Sequence, residues 1–142
     1  MECKLVPLAQ SVRGDLAALP PHIRRRCEAW ITRAATQPLA TGRPIESGPL
    51  ADYEARRAYV TESGWPPSVV GASRRRRREV AHDAGPRYRV VWRTVRIGDT
   101  LLTEVLAVGI GHPPRGQGHS SAYCKAEERL STREQRPCLA VA

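Results

Sequence analysis

Residues 88–108 have the sequence YRVVWRTVRIGDTLLTEVLAV, and this stretch predicts a β-hairpin. Tyr88, Val90 and Trp92 share one face of the predicted strand, and Arg89 and Arg93 share the other. Gly98-Asp99 suits a two-residue hairpin turn. The mostly apolar run after the turn is typical of a central, buried strand. The sequence therefore predicts a sheet built around this hairpin.

Two amphipathic helices are predicted upstream of the hairpin. The first follows Pro7 and places Val12, Leu16 and Leu19 on one face, at i, i+4 and i+7. The second begins after a pair of prolines and ends at Pro38. Its apolar positions fall at i, i+4, i+7, i+8 and i+11: Ile23, Cys27, Trp30, Ile31 and Ala34. Two helices joined by a prolyl turn form a helical hairpin that needs a sheet to cover.

The rest of the chain supplies shorter signals. Residues 2–6 alternate as a short first strand, and residues 39–49 contain the glycines and prolines of a loop. Residues 50–62 alternate as a strand, although their Ala, Glu and Arg content also permits a helix. A glycine-proline loop over 109–118 leads to Ser120-Ser121, which can cap a last helix.

These elements predict one α+β domain over residues 1–131, followed by a C-terminal tail at 132–142. The expected architecture is a small antiparallel sheet with the helical hairpin packed on one face and a short C-terminal helix. The other face is expected to stay partly free for a ligand. Residues 63–86, which include Arg74–Arg78, are expected to form a flexible, Arg-rich insertion.

Charge is the strongest global property of the chain. Its 142 residues carry 23 Lys and Arg against 14 Asp and Glu, a net charge of +9. A domain this basic favours a polyanionic partner, because each neutralised phosphate releases counterions. An acidic protein that neutralises the charge is the alternative.

The four cysteines lack the spacing of a zinc site, and we expect free thiols in a reducing cytoplasm with no metal and no cofactor. No apolar run approaches the ~18 residues of a membrane span. The sequence therefore predicts a cytoplasmic protein with no membrane partner.

Several phrases, in this order, resemble the RelE/ParE superfamily of toxins from type II toxin–antitoxin systems. LAALP at 16–20 precedes an Arg-bearing helix, and GRPI at 42–45 with GPL at 48–50 resembles the family's link into its second strand. YRVVW at 88–92 resembles its "Y-R-V" strand, and VLAVG at 105–109 resembles the strand that leads to the active end. AYCKAEERL at 122–130 resembles the family's terminal Tyr and helix. The resemblance spans most of residues 2–130, apart from the 63–86 insertion.

The resemblance implies a RelE-like fold and a toxin that inhibits translation as a ribosome-dependent mRNA endoribonuclease. In such enzymes the RNA supplies a 2′-OH nucleophile, and the protein moves protons and stabilises negative charge without a metal. The implied partners are the ribosome with its mRNA, an acidic antitoxin protein, and DNA through the antitoxin complex.

The resemblance also assigns candidate residues. Arg56 or Arg57 matches its basic position on the second strand, and Arg89 and Tyr123 match its arginine and tyrosine positions. We take Arg57 as the catalytic one of the pair, and add His112, which has no family match but lies in the active-end loop and can titrate near neutrality. We expect these four to be catalytic, with Arg89 placed to clamp the phosphate. Further RNA-binding residues are expected among the other basic side chains: Arg43, Arg56, Arg93, Arg115, Lys125, Arg74, Arg75, Arg76, Arg77 and Arg78.

Other interpretations of these residues stay open. The sheet arginines also suit a solvated face, and Tyr123 also suits packing beneath the last helix. Ile110-Gly111 follow Gly109 where the family usually places an arginine, and Arg115 is the candidate to replace it. This departure favours two alternatives: a ParE-like gyrase inhibitor without nuclease activity, or a non-catalytic nucleic-acid-binding relative.

Overall fold

The computed structural model describes residues 1–61, 87–111, 116 and 121–135. Within these residues the chain forms five strands and four helices. In chain order they are β1 (Glu2–Leu5), α1 (Gln10–Ala17), α2 (Pro21–Thr36), β2 (Arg43–Pro44), α3 (Pro49–Asp52), β3 (Arg56–Val60), β4 (Tyr88–Ile97), β5 (Thr100–Ile110) and α4 (Ala122–Gln135). The α+β class predicted from the sequence is confirmed.

The predicted hairpin forms the centre of the sheet. Strands β4 and β5 pair antiparallel from Tyr88 opposite Ile110 down to Ile97 opposite Thr100. Gly98 in the turn has a φ of 60°, in the left-handed region that glycine adopts most readily.

The sheet is mixed, whereas the sequence predicted an antiparallel one. Its strand order is β1-β5-β4-β3-β2, and β1 runs parallel to β5 while the other neighbours are antiparallel. Hairpin signals define the direction of adjacent strands only where a short connection joins them. No short connection joins β1 to β5, so the local sequence did not reveal the direction of β1.

Both faces of the sheet carry helices. One face packs against α1 and α2, as predicted for the helical hairpin, and Trp92 lies in the core between these helices and the sheet. The other face packs against α3 and α4 over its β4–β5 half, so it is free only in part, on the side of β3. Helix α4 covers this half because Ala122, Ala126 and Leu130 form a buried stripe at i, i+4 and i+8.

Three predicted segments differ from those in the structure. The predicted strand at 50–62 contains α3 and β3, separated by Glu54, whose φ is 54°. Helix α4 has 14 residues and continues to Gln135, past the predicted boundary at 131. The predicted loop at 39–49 includes the short strand β2. The predicted insertion at 63–86 and residues 136–142 of the predicted tail lie outside the described residues.

The thiol of Cys27 packs in the core beneath α2. The side chain is fully buried, and this burial raises its pKa to about 12, with a smaller contribution from the nearby charge of Glu28. A thiol with that pKa stays neutral at physiological pH and packs as a small apolar group. None of the described helices combines the length and the apolar character that crossing a membrane requires.

A buried carboxylate on α1 joins the two helical layers around the edge of β5. Asp15 accepts hydrogen bonds from the Val108 backbone N–H at 3.0 Å and from both terminal nitrogens of Arg129, at 2.7 and 3.0 Å. Lys125 Nζ lies 3.3 Å from the same carboxylate. Arg129 also donates to the Leu106 carbonyl at 2.7 Å, next to the bulge where Val91 and Trp92 pair with Ala107 and Val105. One side chain thus links α1, β5 and α4.

Asp15→Asn is expected to lower the free energy of unfolding by about 3–5 kcal/mol. Lys125 and Arg129 would then face a neutral amide, whose NH2 group donates hydrogen bonds instead of accepting them. Urea unfolding measures this change. Asp52→Asn, at an exposed position on α3, is the matched control and should change stability by less than about 0.5 kcal/mol. A loss below about 1 kcal/mol for Asp15→Asn, typical of a surface pair, would contradict the linking role.

Candidate anion-binding site

Two arginines and two tyrosines meet where the free half of the second sheet face adjoins the first turn of α4. Arg57 and Tyr59 alternate along β3, and Tyr59 lies opposite Arg89 on β4. Tyr123 is the second residue of α4, whose start is fixed by Ser121. The Ser121 hydroxyl accepts the Cys124 backbone N–H at 3.0 Å, as predicted for a helix cap at Ser120-Ser121.

Arg89 is the centre of this group, which we call the Arg–Tyr cluster (Arg57, Tyr59, Arg89, Tyr123). Its Nε donates to the Tyr123 hydroxyl at 3.0 Å, and its Nη1 donates to the Tyr88 carbonyl at 3.0 Å. The Cζ atom lies 4.0 Å from the centre of the Tyr59 ring, in cation–π contact. Arg57 Cζ lies 5.2 Å from the Tyr59 ring and 5.8 Å from the Tyr123 ring. The two guanidinium groups therefore share both aromatic rings.

The charge of the Arg–Tyr cluster is not neutralised within the described residues. Arg89 is only 3% exposed, yet no described carboxylate forms a salt bridge with it or with Arg57. Burial lowers the pKa of Arg89 from its ordinary value, and the contact with Tyr123 partly opposes this shift. Arg57 Nε is also buried, and none of the described groups accepts its hydrogen bond. A buried cation normally has a paired anion, and none of the described residues supplies one here.

Gly111 packs directly against the side chain of Arg89 in the cluster. A Cβ atom built at this position would lie 2.9 Å from Cγ, Nε and Cζ of Arg89, closer than real Cβ contacts allow. The Gly111 N–H is held by the Arg87 carbonyl at 2.9 Å. Any side chain here would displace the guanidinium, which gives a physical reason for glycine near the position where the resembling family carries an arginine.

The structure brings together three of the predicted site residues, namely Arg57, Arg89 and Tyr123. Arg89 is buried rather than exposed on the sheet, so Arg57, which is half-buried, is the more accessible cation. Tyr59, which the sequence showed only as part of an alternating strand, completes the cluster. Its position two residues after Arg57 was the one available signal.

The other described basic residues that were predicted to bind RNA lie outside the Arg–Tyr cluster. Arg56 donates to the carbonyls of Thr41 and Gly42 at 2.9 and 3.1 Å, so it supports the backbone before β2. Arg93 forms a salt bridge of 2.9 Å with Glu104, and Lys125 contacts Asp15. Arg43 is exposed at the edge of the sheet. His112, Arg115 and the run Arg74–Arg78 lie outside the described residues.

The cluster offers the chemistry of a phosphodiester site. Guanidinium groups donate to phosphate oxygens, and the exposed part of Tyr59 offers an aromatic surface for a base. The Tyr123 oxygen accepts from Arg89, so its own hydrogen can be donated to a ligand. Among the described residues, no group of three or more His, Cys, Asp or Glu side chains is placed to hold a metal ion.

Comparison of the chain with protein-family models, curated proteins and solved structures gave no match. Its function is therefore inferred from the geometry of the Arg–Tyr cluster and from the sequence.

Arg89→Met is expected to raise the free energy of unfolding by about 1 kcal/mol or more, because an apolar chain of similar shape replaces a buried cation that pairs with no described carboxylate. Arg93→Met is the matched control on the same strand. It removes the salt bridge between Arg93 and Glu104, and we expect a loss of about 1–3 kcal/mol. Urea unfolding compares the two variants. If Arg89→Met destabilises as much as Arg93→Met, Arg89 serves the fold rather than a ligand.

Proposed function

We propose that this chain is a RelE-like toxin that cleaves mRNA on the ribosome and thereby inhibits translation. The Arg–Tyr cluster carries the proposal, because it places a buried guanidinium between two phenol rings beside a second arginine, and no carboxylate of the described residues pairs with it. The resemblance of the sequence to the RelE/ParE superfamily supports the same reaction.

The electrostatics favour an anionic ligand. A cation in a low-dielectric environment acts more strongly on a nearby charge than it would in water. Arg89 is buried beneath Tyr59 and Gly111, so it acts mainly through its contacts and its field. Arg57 is only half-buried, so it is the cation of the cluster that can reach a phosphate oxygen directly.

Cleavage needs one proton removed and one proton supplied. The RNA 2′-oxygen forms a bond to the adjacent phosphorus, and the bond from phosphorus to the 5′-oxygen breaks. We assign Tyr123 as the donor of a proton to the 5′-oxygen, since its hydroxyl accepts from Arg89 and donates to none of the described groups. His112 is the candidate base for the 2′-OH on sequence grounds. Arg57, with Arg89 behind it, stabilises the additional negative charge on the phosphoryl oxygens.

A toxin of this type needs a partner that silences it. The net charge of +9 favours an acidic antitoxin that binds over the basic surface, in the cytoplasm, and that brings the complex to DNA. A small acidic open reading frame beside the gene is the simplest observation that would support this part of the proposal.

Cell-free bacterial translation with the purified protein tests the reaction, by mapping mRNA 5′ ends with and without ribosomes. New ends are expected only with ribosomes. Tyr123→Phe should reduce the cleavage rate by about 10²–10⁴-fold, because it removes the proton donor but keeps the ring. Arg57→Gln should reduce it by about 10²-fold, because it weakens the stabilisation of negative charge.

Arg96→Gln is the matched control, because Arg96 is exposed near the far end of β4 and has the same charge. It should cleave as the parent chain does. Intact mRNA and undiminished translation with the parent chain would overturn the proposal, and inhibition of gyrase supercoiling by that same protein would then favour the ParE-like alternative.

A further inference from the structure

A cleft of about 600 Å³ opens between α2 and the outer edge of β3. Strand β2 covers only the start of this edge, because it pairs with Arg56 and Arg57 alone. Beyond that point, residues 58–61 form one wall of the cleft and α2 forms the other. The cleft lies outside the core, and the sequence alone gave no sign of it.

The charged side chains that line the cleft are all cations. They are Arg26 and Arg33 from α2, Arg43 from β2 and Arg57 from β3. No acidic residue is among the described residues that line it. Arg33 also lies over the ring of Trp30, with 4.8 Å between Cζ and the ring centre. Arginines interleaved with an aromatic ring are typical of sites for single-stranded nucleic acid.

The cleft is continuous with the Arg–Tyr cluster. Arg57 and Tyr59 belong to the cluster and also line the cleft. A polyanionic chain with one phosphate at the cluster would therefore meet Arg43 and Arg33 as it crosses the sheet edge towards α2. The cluster and the cleft together therefore offer such a chain several successive cationic contacts, rather than one.

From this continuity we infer that the cleft is a second RNA subsite, which binds the backbone phosphates of nucleotides adjoining the one held at the Arg–Tyr cluster. The inference rests on the proposed function and adds the path of the single strand. Arg33 and Arg43, which are both exposed, contact the phosphates, and Trp30 supports the guanidinium of Arg33. The subsite recognises phosphate rather than base sequence.

The edge geometry favours RNA over an added peptide strand. The Ile45 N–H donates to the Ala55 carbonyl, so odd-numbered residues of β3 direct their backbone groups towards β2 and the free edge. The Thr61 carbonyl on this edge already accepts a hydrogen bond from Arg26 at 3.0 Å. Among the described residues of this edge, the backbone of Tyr59 and the Thr61 N–H alone remain for a partner strand, too few for strand addition.

The test is the salt dependence of binding to a 2′-O-methylated single-stranded RNA, which cannot be cleaved through its 2′-oxygen. Fluorescence anisotropy measures Kd across a series of salt concentrations. For the double variant Arg33→Gln/Arg43→Gln, the slope of log Kd against log salt should fall by about 1.4, which is about 0.7 for each phosphate that the variant no longer neutralises.

The matched control is Arg13→Gln/Arg96→Gln, which removes the same charge at two exposed positions outside the cleft. Its slope should remain that of the parent chain. Urea unfolding of both double variants confirms that each remains folded.

The outcomes separate the two proposals. An unchanged slope for Arg33→Gln/Arg43→Gln, with mRNA still cleaved by the parent chain, would overturn the proposed RNA subsite but not the proposed nuclease activity. A reduced slope without any mRNA cleavage would support the RNA subsite and overturn the proposed nuclease activity. Binding of polyglutamate in place of RNA would overturn the subsite and assign the cleft to an acidic protein.

Discussion

The carboxylate of Asp15 is the interaction on which the rest of the structure depends. Strand β1 pairs with residues 100–103 of β5, and no described strand continues along that edge beyond them. Asp15 and Arg129 satisfy the Val108 N–H and the Leu106 carbonyl there, beside the bulge. The same ion pair ties α1 on one face of the sheet to α4 on the other. Because α4 carries Tyr123 in its first turn, the position of the Arg–Tyr cluster follows from this link.

The arginines of the sheet divide into two groups by their partners. Arg129 and Arg93 face the carboxylates of Asp15 and Glu104 and stabilise the fold. Arg89 has no carboxylate among the described residues, although it is more deeply buried than either. Burying a cation without an anion costs stability, and folds generally avoid it. A bound phosphate would offset that cost, which is why we connect this arrangement with function rather than with folding.

Much of the fold could be predicted because its signals are local. Alternation around Trp92 with the turn at Gly98 predicted the hairpin, and 3.6-residue periodicity predicted both N-terminal helices. The candidate residues Arg57, Arg89 and Tyr123 came from resemblance, which cannot show that they touch. Contacts between distant segments could not be predicted: the parallel pairing of β1, the covering of the second face by α4, and the ion pair between residues 114 positions apart. Such contacts depend on how the whole chain packs, and no short stretch of sequence encodes them.

The central claim is that the Arg–Tyr cluster binds a polyanion. Its most direct test is a ¹H–¹⁵N NMR titration of the arginine Nε–H signals with 2′-O-methylated single-stranded RNA. The account predicts that the signals of Arg57 and Arg89 shift together, and that inorganic phosphate moves them in the same direction. The signal of Arg93, which is held by Glu104, should stay in place. Unchanged Arg57 and Arg89 signals, with RNA bound elsewhere on the protein, would contradict the account.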